Sequence, residues 1–158
     1  MAMLRPILLL TAVSGTLDIL FAMILTMTIG KGDIPAMLRF VASGPFPQAP
    51  EWGAPGAVLG LLVHFTLMAI MATIFVLAAR QYPAILQSPI KWGVIYGLIT
   101  YVAMNLIVVH FRFDTTLPPK TVSIVTQLFA HIFLVGIPFA LITAKYLRPS
   151  LAAETVPV

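Results

Sequence analysis

The stretch Pro55–Ala79, which reads PGAVLGLLVHFTLMAIMATIFVLAA, decides the fold class of this chain. It contains no acidic or basic residue, and His64 is its only ionisable side chain. An α-helix rises about 1.5 Å per residue, so about 20 apolar residues cross a hydrocarbon layer of about 30 Å. No water reaches backbone groups in that layer, so a crossing segment must be helical. The stretch therefore predicts a membrane-spanning helix.

Three further stretches have the same apolar character, at about 6–29, 90–111 and 121–144. Lysine or arginine residues stand at or near their ends. Because the connections after the second and third stretches are short, successive helices are expected to run in opposite directions. The sequence thus predicts an all-α, polytopic membrane protein. We expect a single domain over 1–158, with four transmembrane helices in an up-down-up-down bundle.

The first apolar stretch also has features of a secretory signal peptide. Arg5 precedes it, and Ala12–Ser14 resembles a small-residue cleavage site. The apolar run continues to Ile29, however, which is longer than the apolar region of a signal peptide. We therefore expect this stretch to be retained as the first membrane helix.

The composition excludes several classes of protein. Hydrophobic residues make up 60% of the 158 and charged residues 9%, whereas a soluble domain carries about 25% charged residues. A soluble enzyme or a disordered regulator is therefore not expected. The chain has no cysteine, which excludes thiolate metal sites and redox dithiols. Its nine basic residues are scattered singly, so nucleic-acid binding is not expected either.

The basic residues also predict an orientation in the membrane. If both termini lie inside, the inner side carries Arg5, Arg80, Lys91, Lys145 and Arg148, and the outer side carries Lys31, Arg39, Arg112 and Lys120. The positive-inside rule counts lysine and arginine, and it favours this arrangement by five to four. We expect a multi-pass protein with both termini in the cytoplasm.

The longest connection, 30–54, lies between the first two spans and contains four prolines. Within it, Ile34–Val41 is suited to a short helix in the membrane interface, with Arg39 directed toward the headgroups. An irregular loop that covers the outer surface is the alternative.

The second and fourth spans share a short sequence pattern. HFTLMAI at 64–70 aligns with HIFLVGI at 131–137, and the histidine, one leucine and one isoleucine are identical. One interpretation is a pseudo-repeat of two helical hairpins related by an axis along the membrane normal. Chance matching among apolar residues is the other.

Polar residues within the spans are the candidates for function. An Asp or Lys at the centre of a membrane helix costs about 2.5–3.5 kcal/mol on insertion scales, so such residues are expected to face the protein interior and to pair. We single out as ligand- or proton-binding candidates Asp18, His64, Asn105, Gln127 and His131, with Arg39 from the outer loop. The two histidines lie at similar depths below the outer ends of their spans, which predicts one cluster opening to that side.

Three interpretations of this cluster are open. It could be a purely structural polar core that fixes how the helices pack. It could bind a proton or a small ligand, as buried ionisable residues in membranes often do. Alternatively, His64 and His131 could be the axial ligands of a b-type haem. The sequence has no motif for catalysis, so a binding protein is favoured over an enzyme.

The glycine pairs suggest a further possibility. Gly56 and Gly60 on the second span, and Gly93 and Gly97 on the third, form close-packing faces. One of these faces could contact another protein, and the chain would then be an accessory subunit of a larger membrane complex or a homo-oligomer.

Several segments carry a resemblance to a known family: Thr16–Ile19, Arg39–Gly44, Leu59–Phe65, Tyr101–Asn105 and His131–Pro138. They resemble small four-helix inner-membrane proteins of bacteria, distantly similar to the YagU-type proteins. The resemblance extends over most of the chain, from about 15 to 147. It implies four helices in a bacterial cytoplasmic membrane and no particular activity.

Overall fold

A computed structural model of the protein describes residues 3–30 and 32–154, with side chains as far as residue 148. Lys31, which the orientation argument places on the outer side, lies outside the described residues. The described part is helical, without a strand. Its α-helices are α1 (Leu4–Thr28), α2 (Ile34–Ala42), α3 (Gly53–Gln81), α4 (Ala84–Gln87), α5 (Pro89–Tyr101, Val102–Val108 and Val109–Phe113) and α6 (Thr121–Phe129, Ala130–Gly136 and Ile137–Glu154). A short 3-10 helix, Ala49–Trp52, leads into α3.

Four of these helices are long and apolar enough to cross a membrane, namely α1, α3, α5 and α6. This confirms the predicted all-α class and the number of spanning helices. The fourth spanning helix, α6, continues past the predicted end of the span at residue 144 as far as Glu154. The prediction followed hydropathy, which limits the apolar part of a helix, whereas polar residues such as lysine and arginine also favour helix.

α1 packs between α3 and α6. Near its start, the guanidinium of Arg80 at the end of α3 donates to Met3 Sδ at 3.4 Å. Farther along, a Cβ at Gly15 would lie 2.7 Å from the ring of Phe65 on α3. On the side of α6, the rings of Phe21 and Phe129 are 5.3 Å apart. The absent side chain at position 15 thus allows α1 and α3 to approach closely.

α5 and α6 approach each other through their glycines. A Cβ at Gly93 would lie 2.8 Å from the carbonyl oxygen of Gly136, and a Cβ at Gly97 would lie 2.5 Å from that of His131. Any larger side chain at these positions would therefore push against backbone. The glycine face of the third span is covered within the chain.

The segment 34–42 forms the helix α2 and is not an irregular loop. Asp33 caps it, because its Oδ1 accepts from Ala36 N at 2.8 Å. Leu38 is buried and its backbone carbonyl lies directly against Gly60 of α3, where a Cβ would overlap it. The glycine face of the second span is therefore covered by α2, so both glycine faces are occupied within the chain, and the accessory-subunit hypothesis stays a prediction.

Two arginines, one at each end of the molecule, connect a spanning helix to a short helix or to the residues after one. Arg112 on α5 donates to the carbonyls of Ser43 and Gly44, just after α2, at 2.7 and 2.6 Å. Arg148 on α6 donates to the carbonyl of Leu86 on α4. We call these two ends of the molecule the α2 end and the α4 end.

Apolar and polar side chains are separated along the length of the molecule. The hydrophobic core lies toward the α4 end and includes Leu10, Met68, Phe75, Val135 and Phe139. The candidate residues Asp18, His64, Asn105 and His131 lie on the side of this core that faces the α2 end, whereas Thr143 is buried beside the core residues Ala140 and Ala144. Large apolar side chains elsewhere on the spans are exposed, among them Leu20, Ile24, Leu62, Ile70 and Ile107. Such a surface is typical of helices in contact with lipid.

Candidate functional site

The candidate polar residues form two groups on different helix pairs, where the sequence predicts one cluster. Asp18 on α1 faces His64 on α3, and we call these the Asp18–His64 pair. Asn105 on α5 bonds to His131 on α6, and together with Thr100 they form what we call the His131 cluster.

In the first group, His64 is fixed by a backbone carbonyl. Its Nε2 lies 2.9 Å from the carbonyl oxygen of Gly15. A carbonyl can only accept a hydrogen bond, so Nε2 carries a proton and donates it. The other ring nitrogen, Nδ1, lies 4.0 Å from Asp18 Oδ2. That separation is within the range of an ion pair but beyond a direct hydrogen bond.

The surroundings of this pair are apolar. The His64 side chain is 11% exposed and that of Asp18 is 22% exposed, and Asp18 lies near the middle of α1. Phe65 packs edge-on against the imidazole, with ring centroids 5.2 Å apart. With one proton between them, the two side chains are neutral together, either as carboxylic acid and imidazole or as carboxylate and imidazolium. The arrangement can therefore hold and exchange a proton.

In the second group, every polar atom of the imidazole is satisfied. Asn105 Nδ2 lies 3.1 Å from His131 Nε2, and Thr100 Oγ1 lies 3.1 Å from Nδ1. The Thr100 hydroxyl donates to the carbonyl of Gly97 at 3.0 Å, so its oxygen accepts from Nδ1–H. The amide of Asn105 then donates to Nε2. These partners assign a neutral ring with its proton on Nδ1, and the ring is 7% exposed.

The helices widen where the second group forms. Val102–Val108 and Ala130–Gly136 are π-helical, and each carries one of the two residues in the amide–imidazole bond. π-Helical segments are rare in proteins, and those that occur are often found at functional sites. On α6 the cause is Pro138, which has no N–H to donate and whose ring crowds the preceding turn. The neighbouring N–H, that of Ile137, bonds five residues back to Ile132.

Two candidates belong to neither group. Gln127 is half-buried on α6, one turn before His131, and its side chain makes no hydrogen bond among the residues that the structure describes. Arg39 lies on α2 with its Cγ beside Gly56. Its guanidinium has no hydrogen bond or ion pair within 3–30 and 32–148. Arg39 thus does not cap either group by contact.

Sequence reasoning missed Thr100, which completes the His131 cluster. The signal was weak, because threonines in apolar helices commonly bond to their own backbone. Thr11, Thr26 and Thr66 do so here, each to the carbonyl four residues earlier. Thr100 differs from these threonines because α5 is oriented so that the Thr100 hydroxyl faces His131 on α6.

His131 does not fit an axial position of a haem, so the pair of axial ligands is not formed. Both ring nitrogens of His131 are hydrogen-bonded to side chains, whereas His64 has only Nε2 bonded, to a backbone carbonyl. Each axial ligand needs a free imidazole nitrogen directed at the iron. Among the described residues, no three His, Cys, Asp or Glu side chains come together as metal ligands do.

Comparisons with protein-family models, with curated proteins and with solved structures gave no match. The resemblance to YagU-type proteins therefore stays a prediction.

Proposed function

We propose that the chain is a four-span protein of the bacterial cytoplasmic membrane that binds and releases a proton at the Asp18–His64 pair. One observation carries the proposal: His64 Nδ1 faces Asp18 Oδ2 at 4.0 Å while Nε2 is held by the Gly15 carbonyl. Because Nε2 must keep its proton, the exchangeable proton belongs to Nδ1 and to the carboxyl group.

The cost of charge in a membrane links this proton to the packing of α1 and α3. The pair is neutral when it holds one exchangeable proton in addition to the proton on Nε2. Loss of that proton, or gain of another, leaves a net charge, which costs about 2.5–3.5 kcal/mol at a helix centre. The adjoining helices also carry ionisable residues, among them Arg39 on α2 and His131 on α6. Neither has a hydrogen bond or ion pair with Asp18 or His64 in the described part of the chain. A net charge on the Asp18–His64 pair therefore has to be stabilised by movement of the helices or by entry of water.

The proposed topology is an up-down-up-down bundle in a lipid bilayer, with both termini in the cytoplasm and the α2 end outside. Contacts between helix ends support it. Met3 at the start of α1 meets Arg80 at the end of α3, and Arg5 stacks on Tyr146 of α6 at 5.4 Å. The five-to-four distribution of lysine and arginine supports the orientation.

The geometry of the two groups also supports a pseudo-repeat of two hairpins. In each hairpin, a histidine of the second helix turns Nδ1 toward a residue three positions after a glycine of the first helix. The corresponding residues are Gly15 with Gly97, Asp18 with Thr100, and His64 with His131. On this proposal, the first hairpin carries the ionisable form of the site and the second carries a neutral form.

Infrared spectroscopy of the protein in lipid vesicles tests proton binding. In spectra recorded over a range of pH, we expect the wild type to show a protonated-carboxyl band that Asp18→Asn removes. His64→Gln should change the pH at which this band titrates, because its partner is lost. His131→Gln is the matched control and should leave that pH unchanged.

Two results would contradict the proposal. One is a carboxyl spectrum that Asp18→Asn leaves as in the wild type. The other is an Asp18 band whose titration responds equally to His64→Gln and His131→Gln. Thermal unfolding of each variant, followed by tryptophan fluorescence, separates a lost proton site from a lost fold.

A further inference from the structure

A cleft of about 300 Å³ opens at the α2 end, between α5 and the beginning of α6. Its polar lining comes from Tyr101, Asn105, Thr115, Thr116, Lys120 and Ser123. Tyr101 lies at its inner part and is only 6% exposed, yet its hydroxyl makes no hydrogen bond with any described residue. Polar groups of nearly buried side chains are normally hydrogen-bonded. The Tyr101 hydroxyl is not one of the fully buried atoms, so it is an unused donor that is accessible from the cleft.

The other groups that line the cleft are also donors. Asn105 uses one amide N–H for His131, and its second N–H is not used within the described part of the chain. The hydroxyls of Thr115 and Ser123 likewise have no partner there. The chemistry of the lining therefore suits a ligand that accepts several hydrogen bonds.

The charge of the cleft is positive. Lys120 stands at its mouth, and no aspartate or glutamate is among the residues that line it. α6 begins at Thr121, so its first backbone N–H groups, which have no partner within the helix, add partial positive charge at the same place. Val109 and Pro119 complete the wall with apolar surface.

We propose that this cleft binds an oxyanion, a carboxylate or phosphate group carried either by a small solute or by a lipid headgroup. Lys120 neutralises its charge at the mouth, and the hydroxyl of Tyr101 and the free N–H of Asn105 donate to its oxygens. The site is on α5 and α6, and does not depend on the Asp18–His64 pair. Failure of one proposal therefore leaves the other standing.

The test uses the full chain purified in a maltoside detergent, which carries no phosphate or carboxylate. The probes are acetate, inorganic phosphate and a short-chain phosphatidylglycerol, each titrated calorimetrically. We expect saturable binding of at least one probe, weakened about tenfold or more by Tyr101→Phe, since a hydrogen bond to a charged group is lost. Lys120→Gln should weaken it several-fold and reduce its dependence on salt.

Matched controls make the same chemical changes away from the cleft. Tyr82→Phe and Lys91→Gln alter exposed residues at the α4 end, and both should bind as the wild type does. Binding of acetate or phosphate with this pattern identifies a solute, and binding of phosphatidylglycerol alone identifies a lipid headgroup. The proposal is overturned if no probe binds, or if Tyr101→Phe and Lys120→Gln both bind as tightly as their controls. Lys120 is exposed, so its variant keeps the test valid if Tyr101→Phe unfolds.

Discussion

The two buried histidines show how neighbouring atoms give one side chain two different roles. His64 faces a carbonyl and a carboxylate, both of which accept hydrogen bonds, so N–H donors on both ring nitrogens match its partners. His131 meets an amide that donates and a hydroxyl that accepts, so its ring is complete when neutral. The difference lies in the partners, because both rings are similarly buried in apolar helices.

The amide–imidazole bond is expected to stabilise the contact of α5 with α6. Asn105→Leu removes the donor to His131 Nε2 and should lower the free energy of unfolding by about 0.6–1.7 kcal/mol, from the mean to the maximum measured for such bonds in membranes. Unfolding by dodecyl sulfate in mixed micelles measures it. Gln127→Leu, at a half-buried position without a hydrogen bond, should change stability much less. Equal effects of the two variants would contradict this account.

The sequence identifies the polar side chains that need hydrogen-bonding partners, but it does not identify those partners. The cost of polar groups in lipid selected Asp18, His64, Asn105 and His131. Choosing between Thr100 and Gln127 as a partner of His131 depends on how the helices rotate about their axes. Apolar residues surround each helix on every side, so the pattern along the chain cannot define that rotation.

At the scale of the helices, the distances between axes are set by residues without side chains. Gly93 and Gly97 place α5 against the backbone of α6, and Gly60 seats α2 on α3. The four long helices could be predicted because lipid allows few alternatives to helix. The π-helical segments could not, since they depend on Pro138 and on contacts across the helix pair.

Alanine substitutions are expected to separate two kinds of glycine contact. At Gly97 the new Cβ would press on the His131 carbonyl at 2.5 Å, and backbone cannot move aside. At Gly15 it would press on the Phe65 ring at 2.7 Å, and a ring can rotate. Gly97→Ala should therefore destabilise by about 1–3 kcal/mol or more and Gly15→Ala by less. Unfolding in mixed micelles measures both, and the reverse order would contradict the packing described for α5 and α6.

At the scale of the whole molecule, the hydrophobic core and the candidate polar groups lie toward opposite ends. The hydrophobic core near the α4 end holds the spanning helices together, while both polar groups and the cleft lie toward the α2 end. The sequence predicts one polar cluster that opens to the outer side, because His64 and His131 lie at similar depths below the outer ends of their spans. It did not predict that α1 with α3, and α5 with α6, each enclose their own group. The proposals follow this division, a proton site in the first pair and an oxyanion cleft beside the second.

The most direct test of the central claim is solid-state NMR of the protein in lipid bilayers, with isotopically labelled histidine nitrogens, over a range of pH. The chain has three histidines, and substitution of each assigns its signals. We expect His64 to keep a proton on Nε2 throughout and to gain or lose one on Nδ1, while His131 keeps its proton on Nδ1 and none on Nε2. A His64 ring protonated on Nδ1 alone, or exchange of the proton at His131 in place of His64, would contradict the account.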